Sequence, residues 1–157
     1  MTETMLNQYL TFTVEKEMYA LNVANVREVL GYTTVTVVPR MPEYMKGVIN
    51  LRGSVVPVLD LKRKFGLGDI EQAMDTSVIV TEVRIEDKAV VIGLLCDSVS
   101  EVIDFHEDDI EPAPNMGTQI QADFIRGMGK KDDQFIIILE ISKILTHQDI
   151  QSASAPS

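Results

Sequence analysis

Short apolar runs rich in β-branched residues recur along the chain and predict a mainly β protein. Each run is built from Val, Ile, Thr and Phe and is bounded by Gly, Pro, Asp or Lys-Asp turn residues. The predicted strands cover residues 9–14, 34–38, 47–51, 55–59, 77–84, 89–95 and 134–139. Charged tips at 15–18, 86–89 and 130–134 separate apolar runs and predict three hairpins.

Helical signals are brief. Residues 23–30 place Val23, Val26 and Leu30 on one helical face, residues 60–65 allow a turn or two, and residues 141–145 begin a C-terminal helix. Residues 148–157 are small and polar and predict a disordered tail.

An internal repeat is the most informative feature of the chain. Residues 44–65 align without a gap over residues 124–145, at an offset of 80 positions that places Gly47 over Gly127. A second block at an offset of 73 places residues 26–30 over 99–103. Convergent strand patterning is an alternative, but the aligned Gly, Pro and acidic positions favour duplication.

The repeat predicts two small units, a first β-barrel over residues 9–66 and a second over residues 77–147. A terminal strand or helix of one unit can cross over to the other. Units of this size bury about 60% of their unfolded surface and are marginal alone. We therefore expect two small closed barrels of five or so short strands each, packed as a pseudo-symmetric pair with a shared apolar seam.

The net charge and the length of the apolar runs argue against nucleic-acid binding and membrane insertion. The chain has 24 acidic against 14 basic residues and a formal net charge of −10, which repels nucleic-acid phosphates and anionic lipids. Its apolar runs are shorter than the roughly 20 residues that a membrane-spanning helix needs. Because residues 1–9 also lack the pattern of a secretory signal, we expect a cytoplasmic protein that neither inserts in a membrane nor binds nucleic acid.

The sequence contains no arrangement typical of an active site. His106 and His147 lack partners at metal-ligand spacing, and the acidic run at 104–111 lacks the glycine of a calcium loop. Nucleophile elbows, phosphate loops and dinucleotide fingerprints are missing, and the apolar setting of Cys96 predicts a buried, unreactive thiol. We expect no enzyme activity, no metal and no cofactor.

The segment Gly-Val-Ile-Asn-Leu-Arg-Gly-Ser-Val-Val-Pro-Val-Leu-Asp-Leu at 47–61 resembles the signature of the CheW family of chemotaxis coupling proteins. Further matches follow in family order at 26–32, 91–102, 110–114 and 124–129. The resemblance implies two SH3-like barrels around a common hydrophobic interface. It also implies a non-catalytic adaptor that joins chemoreceptors to the histidine kinase CheA in membrane-associated arrays.

The resemblance further implies where partners bind. In the family, a groove between the barrels takes the cytoplasmic tip of a receptor, and separate barrel surfaces meet the regulatory domain of CheA. The groove positions fall here on Val23, Val26, Glu28, Gly93, Val99 and Val102. Positions facing receptor or kinase fall on Gly47, Arg52, Gly53 and Gly127.

Each of these assignments has a structural alternative. The valines also suit a core, the aligned glycines Gly47 and Gly127 suit equivalent turns, and Glu28 and Arg52 suit solvated positions. Glu28 has a repeat counterpart in Glu101, whereas Arg52 aligns with Asp132, so duplication alone does not require the arginine. The alternative function is a small-molecule-binding β-barrel module or sensor subunit, which needs a deep apolar pocket with convergent polar groups.

Overall fold

The computed structural model describes residues 6–31, 35–40, 44–68, 70–71, 73–112 and 124–144. These residues form ten strands and two one-turn α-helices. The strands are β1 (Leu6–Val14), β2 (Glu17–Asn22), β3 (Val26–Gly31), β4 (Met45–Leu51), β5 (Ser54–Asp60), β6 (Ser77–Ile85), β7 (Lys88–Cys96), β8 (Ser98–His106), β9 (Ile125–Lys131) and β10 (Gln134–Leu139). The helices are α1 (Leu61–Lys64) and α2 (Ile141–Ile144).

The strands form two five-stranded sheets of equivalent topology. Sheet A has the order β8-β1-β2-β10-β9 and sheet B has the order β3-β6-β7-β5-β4. The segment that follows the edge strand β3 pairs with β4 through Thr36 and Val48, and the segment that follows β8 pairs with β9 through Glu111 and Met128. These pairs link the two edges of each sheet, and we call the resulting units barrel A and barrel B. The predicted pair of SH3-like barrels is confirmed.

Neither barrel is a contiguous piece of the chain. Barrel A contains the first hairpin of the first half and the last three strands of the second half, and barrel B contains the reverse. The predicted segments 9–66 and 77–147 therefore do not correspond to the two barrels. The connections into the third strand of each half are short, because Asp97 alone separates β7 from β8 and only Val23–Asn25 separate β2 from β3. Each third strand therefore pairs in the other sheet directly after the hairpin that precedes it. The predicted tail at 148–157 lies outside the described residues.

The exchanged halves nevertheless repeat the same backbone contacts. The Asp60 amide donates to the Tyr44 carbonyl at 2.7 Å, and 80 positions later the Glu140 amide donates to the Phe124 carbonyl at 2.9 Å. The strand pairs of sheet A likewise recur in sheet B, each with its counterpart from the other half. These contacts support duplication over convergent patterning.

Two-residue turns close the hairpins. Both central residues have positive φ at Glu15-Lys16, Glu86-Asp87 and Asp132-Asp133, which is the type I′ conformation that matches strand twist. The three predicted hairpins are confirmed. A fourth turn of the same kind, Arg52-Gly53, joins β4 to β5.

The helix predicted at 23–30 is wrong. A 3₁₀ turn covers only Val23–Asn25, capped by the Asn22 side chain, and β3 follows it directly. Half-buried and exposed residues alternate along β3, so Val26 and Leu30 lie on the same side of the strand at a spacing of four. Val23, in the preceding 3₁₀ turn, lies three positions before Val26, and the three apolar residues therefore have spacings that resemble a helical period. In the predicted strand at 34–38, the described residues contain one isolated pair, at Thr36.

The core has three parts. One cluster fills barrel A, with Ile138 among its members, and another fills barrel B, with Val58 among its members. The largest lies between the sheets and joins Phe12 of sheet A to Leu94 of sheet B, and both side chains are fully buried. Since neither barrel alone covers this cluster, the barrels share the apolar seam that their small size predicts.

Candidate protein-interaction surface

The edge strands β3 and β8 carry equivalent valines on the two barrels. Val26 on β3 and Val99 on β8 are repeat counterparts, and both are half-buried against the shared cluster, as is Val23. These three predicted groove residues therefore adjoin one seam, from both barrels. Val102 is farther along β8, where half of its side chain is exposed (50%).

Glu28 and Arg52 form a bidentate ion pair. Arg52 Nη1 donates to Glu28 Oε2 at 2.8 Å, and Nη2 donates to Oε1 at 2.9 Å. The arginine occupies the first position of the β4–β5 turn, which is fixed by a 2.9 Å hydrogen bond from the Gly53 amide to the Asn50 side chain. The pair thus connects the β4–β5 turn to the neighbouring edge strand β3.

The ion pair leaves only part of the Arg52 guanidinium available to a partner. Two of its N–H groups are already used within the chain, while 72% of the side chain stays exposed, against 26% for Glu28. The hydrogen bonds from Arg52 lower the pKa of the Glu28 carboxyl below its ordinary value, and those to Glu28 raise the pKa of Arg52. A partner therefore meets the exposed face of a fixed pair.

Barrel A carries a looser counterpart of this pair. Glu101, the repeat counterpart of Glu28, lies 3.5 Å from Lys131 Nζ. Lys131 precedes Asp132, the residue that aligns with Arg52, by one position. The gapless repeat alignment missed this pair because the cation is displaced by one residue. A lysine also lacks the planar fork that makes the Arg52 contact bidentate.

Three of the predicted glycines are buried and are explained by packing. A Cβ on Gly47 would lie 2.1 Å from the Thr36 carbonyl oxygen, and one on Gly127 would lie 2.7 Å from the Glu111 carbonyl oxygen. Both glycines lie within strands, so the alternative of equivalent turns is wrong and the need is a close backbone approach. A Cβ on Gly93 would lie 2.7 Å from Val78 inside barrel B, which removes Gly93 from any exposed groove. Gly53 alone of the four is exposed.

Two clefts in the described part of the chain do not resemble a small-molecule pocket. One, of about 430 Å³, is lined mainly by hydroxyl, acidic and backbone groups and by Met74 and Val99. Its polar lining residues are Thr13, Asp75, Thr76, Ser77, Ser98 and Ser100. Another, of about 440 Å³, is lined by acidic residues with Lys130 and Lys131. Deep apolar walls, which the alternative function needs, line neither of them.

The remaining candidate groups give no sign of chemistry within the described part of the chain. Cys96 is buried, and desolvation raises the pKa of its thiol to about 12, which disfavours the nucleophilic thiolate. Across the described ranges, no cluster of three or more His, Cys, Asp or Glu side chains has the geometry to hold a metal ion. Among the described helices, none is long and apolar enough to span a membrane.

Comparison with known proteins gives one family. The model of the CheW-like domain matches residues 8–149. A chemotaxis protein CheW of Klebsiella aerogenes is 32% identical over 148 residues, which cover 94% of this chain and 87% of the relative. A chemotaxis protein CheW of Helicobacter pylori is 35% identical over 138 residues, which cover 88% of this chain and 81% of the relative.

A solved structure agrees with the sequence matches. The crystal structure of the scaffolding protein TtCheW from Thermoanaerobacter tengcongensis superposes with a TM-score of 0.80 at 35% identity, covering 94% of this chain and 92% of that one. The family signature at 47–61, the paired barrels and these matches agree over nearly the whole described chain. The chain therefore belongs to the CheW family of chemotaxis scaffold proteins.

Proposed function

We propose that this chain acts without catalysis, by holding the cytoplasmic tip of a chemoreceptor and the regulatory domain of the kinase CheA in one complex. Its relatives are chemotaxis proteins and its structural neighbour is a scaffolding protein. The single observation that carries the proposal is the position of Val26 and Val99, which approach one apolar seam from two different barrels. A helix laid along that seam contacts both barrels at once.

The receptor surface is the seam together with its rim. Receptor tips are helical coiled coils, and an amphipathic helix binds best to a shallow apolar groove with polar edges. Val23, Val26 and Val99 supply half-buried apolar surface, and Val102 adds an exposed apolar side chain on β8. The Glu28–Arg52 pair supplies a fixed polar rim beside β3.

The kinase surface in this proposal is the end of barrel B around the β4–β5 turn. Arg52 and Gly53 are exposed there, and Val55, the second residue of β5, is 66% exposed. An exposed apolar residue beside a fixed arginine is a common composition for a protein contact. In this account the protein stays in the cytoplasm and reaches membrane-associated arrays through the receptor.

The experiment that tests the receptor surface compares two equally exposed apolar residues of sheet A. Val102 is 50% exposed on β8, and Leu6 is 53% exposed at the outer end of β1. We expect Val102→Asp to weaken binding of a purified receptor cytoplasmic fragment by about tenfold or more, because it places a charge against an apolar helix face. Leu6→Asp is the control and should bind as the wild type does.

Calorimetric titration measures the affinity, and a thermal melt of each variant shows that it is folded. Equal binding by wild type and Val102→Asp would remove β8 from the receptor surface. Failure of the wild type to bind any receptor fragment would contradict the proposed function itself.

A further inference from the structure

A charged cluster fastens barrel A to barrel B on one side of the molecule. Lys62 Nζ in α1 lies 2.6 Å from Oε2 of Glu15, which begins the β1–β2 turn. Helix α1 follows β5 of sheet B, whereas the turn belongs to sheet A, so the ion pair crosses between the barrels. We call Glu15, Lys62 and Asp97 the latch.

Asp97 connects the latch to β8. Its Oδ2 accepts a 2.8 Å hydrogen bond from the Glu15 amide, and its own amide donates to the Thr13 carbonyl at 3.0 Å. The next residue, Ser98, continues the attachment through a 2.7 Å contact between its hydroxyl and that of Thr13. The latch therefore fixes the chain within two positions of Val99.

The setting of Lys62 favours a persistent contact. Only 18% of the Lys62 side chain is exposed, so its ion pair is screened less than a fully solvated pair. The hydrogen bond to Glu15 raises the pKa of Lys62 despite partial desolvation, and Asp97 and Glu71 add attraction. One ammonium group thus lies in the field of several carboxylates.

The latch is present on one side of the pseudo-symmetric pair. The repeat counterpart of Lys62 is Ser142, at an offset of 80, and that of Asp97 is Ala24, at an offset of 73. The second half therefore folds into equivalent strands without the lysine, and the first half does so without the aspartate. The duplicated fold forms without the latch at the equivalent position, so the fold alone does not explain why Lys62 and Asp97 are present.

We propose that Lys62 and Asp97 are positioning residues that set β8, and with it Val99 and Val102, against the opposite edge of the seam. The inference rests on the proposed function, in which this edge contacts the receptor. Neither residue touches the partner. Opening the latch changes the spacing of the two groove edges while the kinase surface, at the opposite end of β5, stays as it is.

The test uses the full chain and four variants. Lys62→Ser copies the repeat counterpart, and Lys88→Ser is its control, with the same charge change at an exposed site. Asp97→Ala removes the acceptor for the Glu15 amide, whereas Asp97→Asn keeps an acceptor oxygen. Backbone amide shifts of 98–102, affinity for the receptor fragment and affinity for the CheA regulatory domain are measured on each preparation.

We expect Lys62→Ser and Asp97→Ala to move the amide shifts of 98–102 and to weaken receptor binding by about fivefold, with kinase binding unchanged. Asp97→Asn should restore most of the affinity, and Lys88→Ser should resemble the wild type. Unmoved shifts in folded Lys62→Ser would overturn the proposal. Equal losses for receptor and kinase would also overturn it, because they indicate general destabilisation.

Two further outcomes keep the latch proposal testable apart from the proposed receptor-binding function. If the wild type does not bind the receptor fragment, the proposed function fails, and the amide shifts still decide whether the latch positions β8. If Asp97→Ala does not fold, Lys62→Ser and Asp97→Asn decide the question.

Discussion

Arg52 and Glu28, 24 positions apart in the sequence, are joined by two nearly equal hydrogen bonds of 2.8 and 2.9 Å. The contact joins the β4–β5 turn to the edge of the same sheet, although β3 and β4 are not hydrogen-bonded neighbours along it. The sheet must therefore curl for the pair to form. The polar rim of the candidate groove is consequently a product of the barrel and not of local sequence.

Arg52→Ala should weaken the coupling of receptor to kinase while leaving the stability of the fold nearly unchanged. The side chain is 72% exposed, so we expect the melting temperature to change by a few degrees at most. Coupling of receptor to kinase should fall by about tenfold or more, because the exposed arginine and the orientation of Glu28 are lost together. Arg27→Ala is the control, since it also removes an exposed arginine with an ion pair on β3. Unfolding of Arg52→Ala would show a structural role, and unchanged coupling would remove it from the site.

The Glu28 carboxyl should stay ionised to a lower pH than an ordinary glutamate because of its ion pair with Arg52. Because Arg52 lowers the pKa of Glu28 from 4.5, the pair contributes stability at pH values above the ordinary glutamate range and loses it as pH falls through the lowered pKa. A carboxyl ¹³C titration should give a midpoint below 4.5 in the wild type. The midpoint should rise in Arg52→Ala. An identical midpoint in both proteins would show that the ion pair does not form in solution.

Gly47→Ala should destabilise the fold through a backbone collision. Gly47 has a φ of 149°, and a Cβ there would lie 2.1 Å from the Thr36 carbonyl oxygen. We expect a loss of about 2 kcal/mol or more in the free energy of unfolding, measured by chemical denaturation. Gly31→Ala is the control, because a Cβ at Gly31 meets no atom within 4 Å, and it should stay within about 1 kcal/mol of wild type. Equal effects of the two substitutions would contradict the close approach.

Phe12→Ala should weaken both barrels together. Phe12 is fully buried in the cluster that lies between the sheets, so its truncation should cost about 3–5 kcal/mol. Because the cluster is shared, amide protection in barrel A and in barrel B should be lost in one transition. Phe135→Ala, at a side chain that is 58% exposed, is the control and should be nearly neutral. Separate transitions for the two barrels would contradict a shared core.

Local patterns were sufficient to predict the β fold class and the hairpins, whereas the paired barrels were predicted from the internal repeat and the family resemblance. Alternation and β-branched residues are properties of each strand, and a turn such as Glu86-Asp87 is a property of a few neighbouring residues. The exchange of strands between halves was not predictable in this way. A repeat shows that β3 and β8 are equivalent, but equivalence does not say which copy of a partner strand each one joins.

The candidate site was predictable only in part, because its residues can be read from the sequence but their contacts form only in the folded barrels. The family resemblance predicted Arg52 and Glu28 as site residues, and the repeat gave Glu101 as the counterpart of Glu28, but their ion-pair partners depend on sheet curvature. The spacing of Val23, Val26 and Leu30 concealed a strand because it resembles a helical period. Glu15 and Lys62 lie far apart in the sequence and on different barrels, so no spacing in the sequence marks their contact.

The most direct test of the scaffold account is the autophosphorylation rate of CheA, reconstituted with receptor-containing membranes in the presence and absence of this chain. The account predicts that the chain raises kinase activity only when receptor and kinase are both present, and that Val102→Asp loses the effect while Leu6→Asp keeps it. Kinase activity that responds to receptor equally well without the chain would contradict the account.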